Sequence, residues 1–241
     1  MLEPVPTSLP DVQLWCCDLD DPRVLAHCDE CFLAPDELPC AERLRSKRHR
    51  QLFLRRRALR RFLLGRFLNT PPQKLSIEET KSGKPQFTAS STVRCEFSTS
   101  HVENLFAMAI APELEVGVDV EVLRPEWNVQ LVAAMCLGSS QIRQLENFPA
   151  QERQEQFLRF WSLREAFAKA TGDGIAQSAP GHISTTHVWD CALNAKPPPQ
   201  GWNWIQQWHR IGKHESVISV VQKIPAASPS PSAKAPVRRA D

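Results

Sequence analysis

Several features that would define a protein class are absent from this 241-residue sequence. No run of residues approaches the roughly 18 apolar residues that a membrane-spanning helix needs. Residues 1–10 lack the basic start and the apolar stretch of a secretion signal. A G-x-S-x-G nucleophile motif and internal repeats are also absent. We therefore predict a cytoplasmic protein without a membrane partner, and we expect a monomer.

Acidic residues are absent from one stretch of the chain. Between Arg43 and Arg66 the sequence holds eleven Lys or Arg and no Asp or Glu; since the whole chain carries +2, the remainder carries about −9. Concentrated positive charge is one mark of a nucleic-acid-binding surface, so a nucleic-acid-binding protein stays an alternative. It suits phosphates or an acidic protein partner equally well. Because no recognised nucleic-acid motif accompanies the stretch, we predict no nucleic-acid partner.

The eight cysteines do not require a disulfide scaffold, because the chain is long enough to bury a core. Cys28 and Cys31 have the C-x-x-C spacing of zinc ligands, which leaves a zinc protein as a second alternative. A structural zinc site needs another well-spaced pair of ligands. Cys16 and Cys17 are adjacent on a predicted strand, so their side chains point apart. We expect reduced, metal-free thiols.

Strands and helices are predicted in a mixed order, which favours the α+β class. The basic stretch belongs to a predicted helix, because it lacks Pro and has no Gly before Gly65. The pattern predicts helices over 41–68 and 157–171, and strands over 12–17, 93–97, 105–110, 116–123, 182–190, 202–210 and 215–223. The strand over 105–110 should be buried on both faces. Residues 225–241 hold four prolines and no large aromatic residue, so we predict a disordered tail.

Two acidic residues share one face of the strand over 116–123. Asp119 and Glu121 stand at positions i and i+2, so their side chains point the same way. Paired carboxylates of this kind can hold a hard cation such as Mg²⁺, which takes oxygen ligands. Two solvated acids on an exposed strand face are the alternative.

The helix over 157–171 stacks Trp161, Glu165 and Lys169 at intervals of four residues. The sequence allows a surface ion pair between Glu165 and Lys169, or a carboxylate and a cation beside one phosphate-bearing ligand. Gly83-Lys84-Pro85 is a turn by composition, and we expect it to expose the Lys84 ammonium. Ser100 and His101 offer further donors that could grip a phosphate.

The order of these motifs resembles the Sfp-type 4'-phosphopantetheinyl transferases. Their pattern is a GKP turn, an F-N-x-S-H segment, a G-[IV]-D-[IV]-E strand and a W-[ST]-x-K-E-[AS]-[FY]-x-K helix. Here these motifs stand at Gly83–Pro85, Phe97–His101, Gly117–Glu121 and Trp161–Lys169, and the resemblance covers roughly residues 10–223. Two positions depart from the pattern, since Arg164 replaces the usual Lys and Ser98 replaces the Asn. The basic helix looks most like that of bacterial, and among them cyanobacterial, members.

The resemblance implies two similar α+β halves, over 1–112 and 113–224, with the active site in the cleft between them. It implies transfer of the phosphopantetheine arm of coenzyme A to a serine of an apo acyl or peptidyl carrier protein, with Mg²⁺, or Mn²⁺ in its place, as cofactor. The carrier can belong to fatty-acid, polyketide or peptide synthesis, or be the aminoadipate reductase of lysine synthesis; the sequence does not choose among them.

The same resemblance implies a role for each matching residue. The metal ligands are Asp119, Glu121 and Glu165. Glu165 is also the base for the carrier serine, and Lys169 is catalytic through its contact with the pyrophosphate. Coenzyme A is bound by a larger set, in which the first two residues are chosen for the 3'-phosphate: Arg43, Arg57, Lys84, Pro85, Ser100, His101 and Lys169.

Overall fold

The computed structural model describes residues 2–89, 92–124, 127–172 and 183–225. The predicted disordered tail lies, beyond Pro225, outside the described residues. Helices and strands are mixed along the chain, which confirms the α+β prediction. Within the ranges given above, no helix combines the length and the apolar character needed to cross a membrane.

The first sheet contains β1 (Gln13–Asp18), β4 (Glu96–Val102) and β5 (Leu105–Ala111), antiparallel in the order β1-β5-β4. Every residue of the central strand β5 is buried, as predicted. Its large side chains Phe106, Met108 and Ile110 pack in one core cluster, while its alanines lie in another. Because successive side chains of β5 point to opposite faces of the sheet, the strand contributes to a core cluster on each face.

The second sheet contains β6 (Val116–Val122), β7 (Trp202–Ile211) and β8 (His214–Lys223), antiparallel in the order β6-β8-β7. Val116, Val118 and Val120 of β6 share a core cluster with the small residues of β5. Because Ala107, Ala109 and Ala111 are short, the two sheets can approach closely along this contact. A separate hairpin pairs β2 (Ile77–Glu79) with β3 (Pro85–Phe87).

The predicted helix over 41–68 is two helices. After the short α1 (Pro22–Leu25), α2 covers Glu37–Glu42 and α3 covers Lys47–Leu68. The break arises because Ser46 is extended and its hydroxyl accepts a hydrogen bond from the His49 backbone N–H, which starts a new helix. Asn69 ends α3 in the left-handed region, at φ 50°.

The helices of the second part are α4 (Val129–Cys136), α5 (Ser139–Glu146), α6 (Arg153–Thr171) and α7 (Thr185–Asn194). The strand predicted over 182–190 is wrong, since α7 occupies most of this range. Ser184 caps α7 by accepting from the His187 N–H, and Val188, Trp189, Cys191 and Ala192 are buried at helical spacing. Tertiary packing overrides the strand preference of the β-branched and aromatic residues here.

Candidate active site

One cavity of about 790 Å³ gathers nearly all the predicted site residues. Its walls come from α3, the turn between β2 and β3, β4, β6 and α6. Arg43 is the exception: it is exposed at the end of α2 and does not line this cavity. The predicted residues in the lining are Arg57, Lys84, Pro85, Ser100, His101, Asp119, Glu121, Glu165 and Lys169.

Close packing of α6 on β6 places the carboxylates of the site. A Cβ atom on Gly117 would lie 1.9 Å from the Ala166 carbonyl oxygen and 2.6 Å from the Ala170 amide nitrogen, so only glycine allows this approach. Asp119 follows two residues along β6, while Glu165 and Lys169 flank the contact on α6. Carboxylates from a strand and a helix thereby line one cavity.

A hydrogen-bond network joins β4, β6 and α6 at the centre of the site. The Ser100 hydroxyl donates to Asp119 Oδ1 over 2.7 Å, and Lys169 Nζ donates to Ser100 Oγ over 2.8 Å and to Asp119 Oδ1 over 2.6 Å. Of the two readings that the sequence allowed, the surface ion pair between Glu165 and Lys169 does not form, because Lys169 pairs with the buried Asp119. Neighbouring Ser98 accepts the Val118 N–H over 3.1 Å, a link between β4 and β6.

All three carboxylates of the site have a raised pKa, and burial is the largest cause for each. Burial raises the pKa of Asp119, opposed by the nearby Lys169 ammonium. Burial, followed by the Asp119 charge, raises the pKa of Glu121 to about 7 and also raises the pKa of Glu165. A bound divalent cation would offset both burial and charge repulsion, since it would coordinate the carboxylates and neutralise their charge.

Two carboxylate oxygens at this point lack a hydrogen-bond partner. Asp119 Oδ2 and Glu165 Oε1 are both buried and unpaired. Unpaired buried oxygens are costly, and a hard cation is the partner that oxygen ligands favour. Within the part of the chain that the structure describes, however, no three His, Cys, Asp or Glu side chains converge into a ready-made metal site. The carboxylate oxygens are donors that suit Mg²⁺, although Lys169 holds Asp119 Oδ1 in this structure.

The Lys84 ammonium is not exposed, contrary to the sequence-based expectation. Lys84 Nζ donates to the Ala170 carbonyl over 3.1 Å, and Ser82 Oγ donates to the Gly172 carbonyl over 3.1 Å. The turn therefore docks on the last carbonyls of α6, where a cation is stabilised by the helix dipole. Burial lowers the pKa of Lys84. Gly172, at φ 76°, ends α6 beside this contact.

The basic wall of the cavity rests on Glu37, which the sequence patterns did not single out. Glu37 is buried and accepts from Arg60 Nη2 over 3.0 Å and from Arg61 Nε over 2.6 Å. Arg57 Nη1 lies 3.9 Å from Glu37, and Arg57 also forms an ion pair with Glu79 at the cavity wall. Two of the eleven basic residues of this stretch, Arg60 and Arg61, are thus buried against Glu37.

His101 completes the wall near the arginines. Partial desolvation, followed by the positive charges of Arg56 and Lys169, lowers the pKa of His101 to about 4. The imidazole is therefore neutral at pH 7, and one ring nitrogen can donate a hydrogen bond to a phosphate. The cysteines lie elsewhere: all eight are unbridged thiols, and none lines the cavity.

Comparison with known proteins gives a consistent family. Residues 115–221 match the model of the 4'-phosphopantetheinyl transferase superfamily. The 4'-phosphopantetheinyl transferase HetI of Nostoc sp. is 31% identical over 191 residues, which cover 78% of this chain and 79% of HetI. The slr0495 protein of Synechocystis sp., which carries the same family name, is 30% identical over 70% of this chain and 68% of its own length. The psf-1 protein of Bacillus pumilus, of the same name, is 26% identical over 60% of each chain.

Proposed function

Because the chain belongs to the 4'-phosphopantetheinyl transferase family, we propose that it transfers the phosphopantetheine arm of coenzyme A to a serine of an acidic apo carrier protein, with Mg²⁺ as cofactor. The observation that carries this proposal is the pair of unpaired, buried carboxylate oxygens of Asp119 and Glu165 beside Lys169. Coenzyme A lies across the cavity, between the halves 1–112 and 113–224. Its pyrophosphate sits at the carboxylates and its 3'-phosphate at the arginines.

Asp119, Glu121 and Glu165 would hold the metal, whose positive charge stabilises the pyrophosphate and the leaving group. The chain's own residues do the rest. Lys169, now bound to Asp119 and Ser100, is placed to meet the pyrophosphate, and Lys84 lies at the same end of α6. Ser100, His101 and Pro85 line the nucleotide side, and Arg57 meets the 3'-phosphate.

The reaction breaks one phosphorus–oxygen bond and forms another. The carrier serine oxygen attacks the β-phosphorus of coenzyme A and gives its proton to Glu165, which is unprotonated at the start of the step. The bond from this phosphorus to the bridging oxygen breaks, and 3',5'-ADP leaves with that oxygen. Positioning and charge account for the catalysis, and no covalent enzyme intermediate is required.

The test is mass spectrometry of an apo carrier protein incubated with the chain, coenzyme A and Mg²⁺. We expect the carrier to gain one phosphopantetheine group and 3',5'-ADP to appear in equal amount. A carrier in which the acceptor serine is replaced by alanine is the matched control and should gain nothing. An unchanged apo carrier across acyl and peptidyl types would overturn the proposal.

A further inference from the structure

Arg164 stands next to Glu165 on α6 but lines a different cavity, of about 760 Å³. Its side chain is only 6% exposed, and its Nε is buried without a hydrogen-bond partner. Within the described residues, Arg164 forms no side-chain hydrogen bond and no ion pair within 4 Å; its guanidinium lies 5.8 Å from the Trp161 ring, and its charge also acts on the neighbouring Glu165 carboxylate and on Cys136. A buried guanidinium without a directly hydrogen-bonded counter-charge is costly, so the position indicates a partner that brings negative charge.

The first turn of α7 faces the same cavity. Ser184, Thr185 and Thr186 belong to its lining, and the ten-residue helix α7 begins there. The N-terminus of a helix carries partial positive charge and free N–H groups, which favour an anion. Gln141, also in the lining, donates to Thr186 Oγ1 over 3.1 Å and fixes this end of the cavity. Two independent features, a guanidinium and a helix start, therefore point to one anionic group.

The rim of this cavity is apolar and exposed. On α4, the side chain of Met135 is 87% exposed and that of Leu131 is 68% exposed. Met135 and Val132 belong to the lining, whereas Leu131 does not and lies one helical turn before Met135 on the same face of α4; Leu131 and Met135 are called the rim residues. Exposed apolar side chains around a charged pocket are typical of a protein-docking surface rather than of a site for a free ion. The matching partner surface carries apolar side chains next to an acidic one.

Trp161 belongs to the linings of both cavities. A protein seated on the second cavity would therefore lie beside the place where the acceptor serine must reach the pyrophosphate. We propose that Arg164, the first turn of α7 and the rim residues Leu131 and Met135 form a carrier-docking pocket, in which Arg164 receives one carboxylate side chain of the acidic carrier. This inference rests on the proposed function and adds the place where the carrier binds.

The first experiment measures transfer at varied carrier and varied coenzyme A concentrations. We expect Arg164→Gln to raise the Michaelis constant for the carrier about 10-fold, the effect of losing one charged hydrogen bond, and to leave that for coenzyme A unchanged. Arg164→Lys should bring the Michaelis constant for the carrier most of the way back to the wild-type value at low salt, because the positive charge is restored. The recovery should be incomplete, because lysine lacks the paired N–H donors of arginine. A merely structural role for Arg164 would not separate the two substrates in this way.

A second set of variants tests the pocket without touching α6. The double variant Leu131→Ser, Met135→Ser should raise the Michaelis constant for the carrier several-fold, with the melting temperature unchanged, because both side chains are exposed. Leu38→Ser on α2, where the side chain is 42% exposed, is the matched control and should behave like the wild type. This pair decides the question if Arg164→Gln does not fold.

Binding without turnover separates docking from chemistry. A carrier whose acceptor serine is replaced by alanine should bind the wild-type chain in calorimetry, and bind the Arg164→Gln and rim variants more weakly. If the wild type transfers but every variant keeps the wild-type Michaelis constant for the carrier, the pocket is not the docking site. If the constant for coenzyme A rises instead, the pocket holds part of that substrate, which also overturns the inference. If the wild type modifies no carrier at all, the proposed function itself fails.

Discussion

The two long helices that line the active-site cavity hold their charges by different means. On α6, Glu165 and Lys169 are placed by the backbone, because the helix lies directly against Gly117 of β6. On α3, the arginines are placed by ion pairs with Glu37 and Glu79. Backbone packing leaves little freedom, whereas an ion pair can exchange one partner for another. Under the proposed function, the residues assigned to the chemistry thus stand on α6, which is fixed by backbone packing, and the arginine assigned to the 3'-phosphate stands on α3, where ion pairs hold the side chains.

The largest loss of stability and activity should come from a substitution that prevents the close approach of α6 to β6. In Gly117→Ala the new Cβ would meet the Ala166 carbonyl at 1.9 Å, so the helix must move away. We expect a loss of about 3 kcal/mol or more in the free energy of unfolding, and no transfer activity. Urea denaturation measures the first and carrier modification the second.

Gly138→Ala is the control, since its Cβ would meet mainly the flexible end of the Gln141 side chain. It should cost below about 1 kcal/mol. A Gly117→Ala protein of wild-type stability would show that packing does not place α6.

The next largest effect concerns the carboxylates themselves. Glu165→Gln keeps the shape of the side chain but cannot accept the serine proton or hold the metal as a charge, so we expect turnover to fall about 10²–10⁴-fold even at saturating Mg²⁺. Asp119→Asn should weaken mainly the metal site, so added Mg²⁺ should recover part of its activity. The measurement is transfer against Mg²⁺ concentration for both variants. Full recovery of Glu165→Gln at high Mg²⁺ would place the base elsewhere.

A substitution of Glu37 tests whether ion pairs hold the arginines of α3. Glu37→Gln leaves Arg60 and Arg61 buried without their counter-charge, and we expect it to lower the free energy of unfolding by about 3 kcal/mol. Asp20→Asn is the matched control, because Asp20 pairs with Arg48 and Arg55 of the same helix at its exposed side. Screening by solvent limits its effect to below about 1 kcal/mol. Equal losses in the two variants would contradict a special role for the buried pair.

The control also has a defined pH dependence. The hydrogen bond from Arg48 lowers the pKa of Asp20 in the folded protein. Its stabilisation is therefore present above the unfolded pKa of about 3.9 and is lost as the pH falls through the lower folded value. The difference in unfolding free energy between the wild type and Asp20→Asn should shrink below about pH 4, and denaturation at several pH values measures it.

Among the residues of the site, the smallest effect should come from Arg57. Arg57→Ala should raise the Michaelis constant for coenzyme A about 10-fold and change turnover less, because a remote phosphate contact holds substrate and transition state alike. Dephospho-coenzyme A should be nearly insensitive. Arg66→Ala, on the same helix but outside the cavity, is the control. An equal penalty with both substrates would show that Arg57 does not meet the 3'-phosphate.

The sequence predicted the part of the site whose residues follow a local repeat. Asp119 and Glu121 on β6, and Glu165 and Lys169 on α6, share faces because strand and helix periods are fixed by backbone geometry. Glu37 is different, since it meets Arg61 across 24 positions and no local pattern marks such a pair. Arg43 was placed on the basic helix for a related reason: no local pattern shows that α2 ends at Glu42 and that the Ser46 hydroxyl starts α3 as a new helix.

The role of Lys84 was also beyond local patterns. Composition shows a turn, but the carbonyl that accepts from Lys84 belongs to Ala170, 86 residues further along the chain. Likewise, the range of α7 reads as a strand by composition, and only its packing against α6 makes it helical. Contacts between distant segments decide both cases.

The docking of the β2–β3 turn on the end of α6 has a consequence for the order in which the protein is built. A chain made from its N-terminus completes the first sheet, the basic helix and the turn well before residue 172 emerges. Until then Ser82 and Lys84 have no helix end to dock on, and closing so long a loop is slow compared with local folding. The nascent protein therefore carries its arginines without a working active site. The candidate site can therefore be complete only after α6 has packed on Gly117.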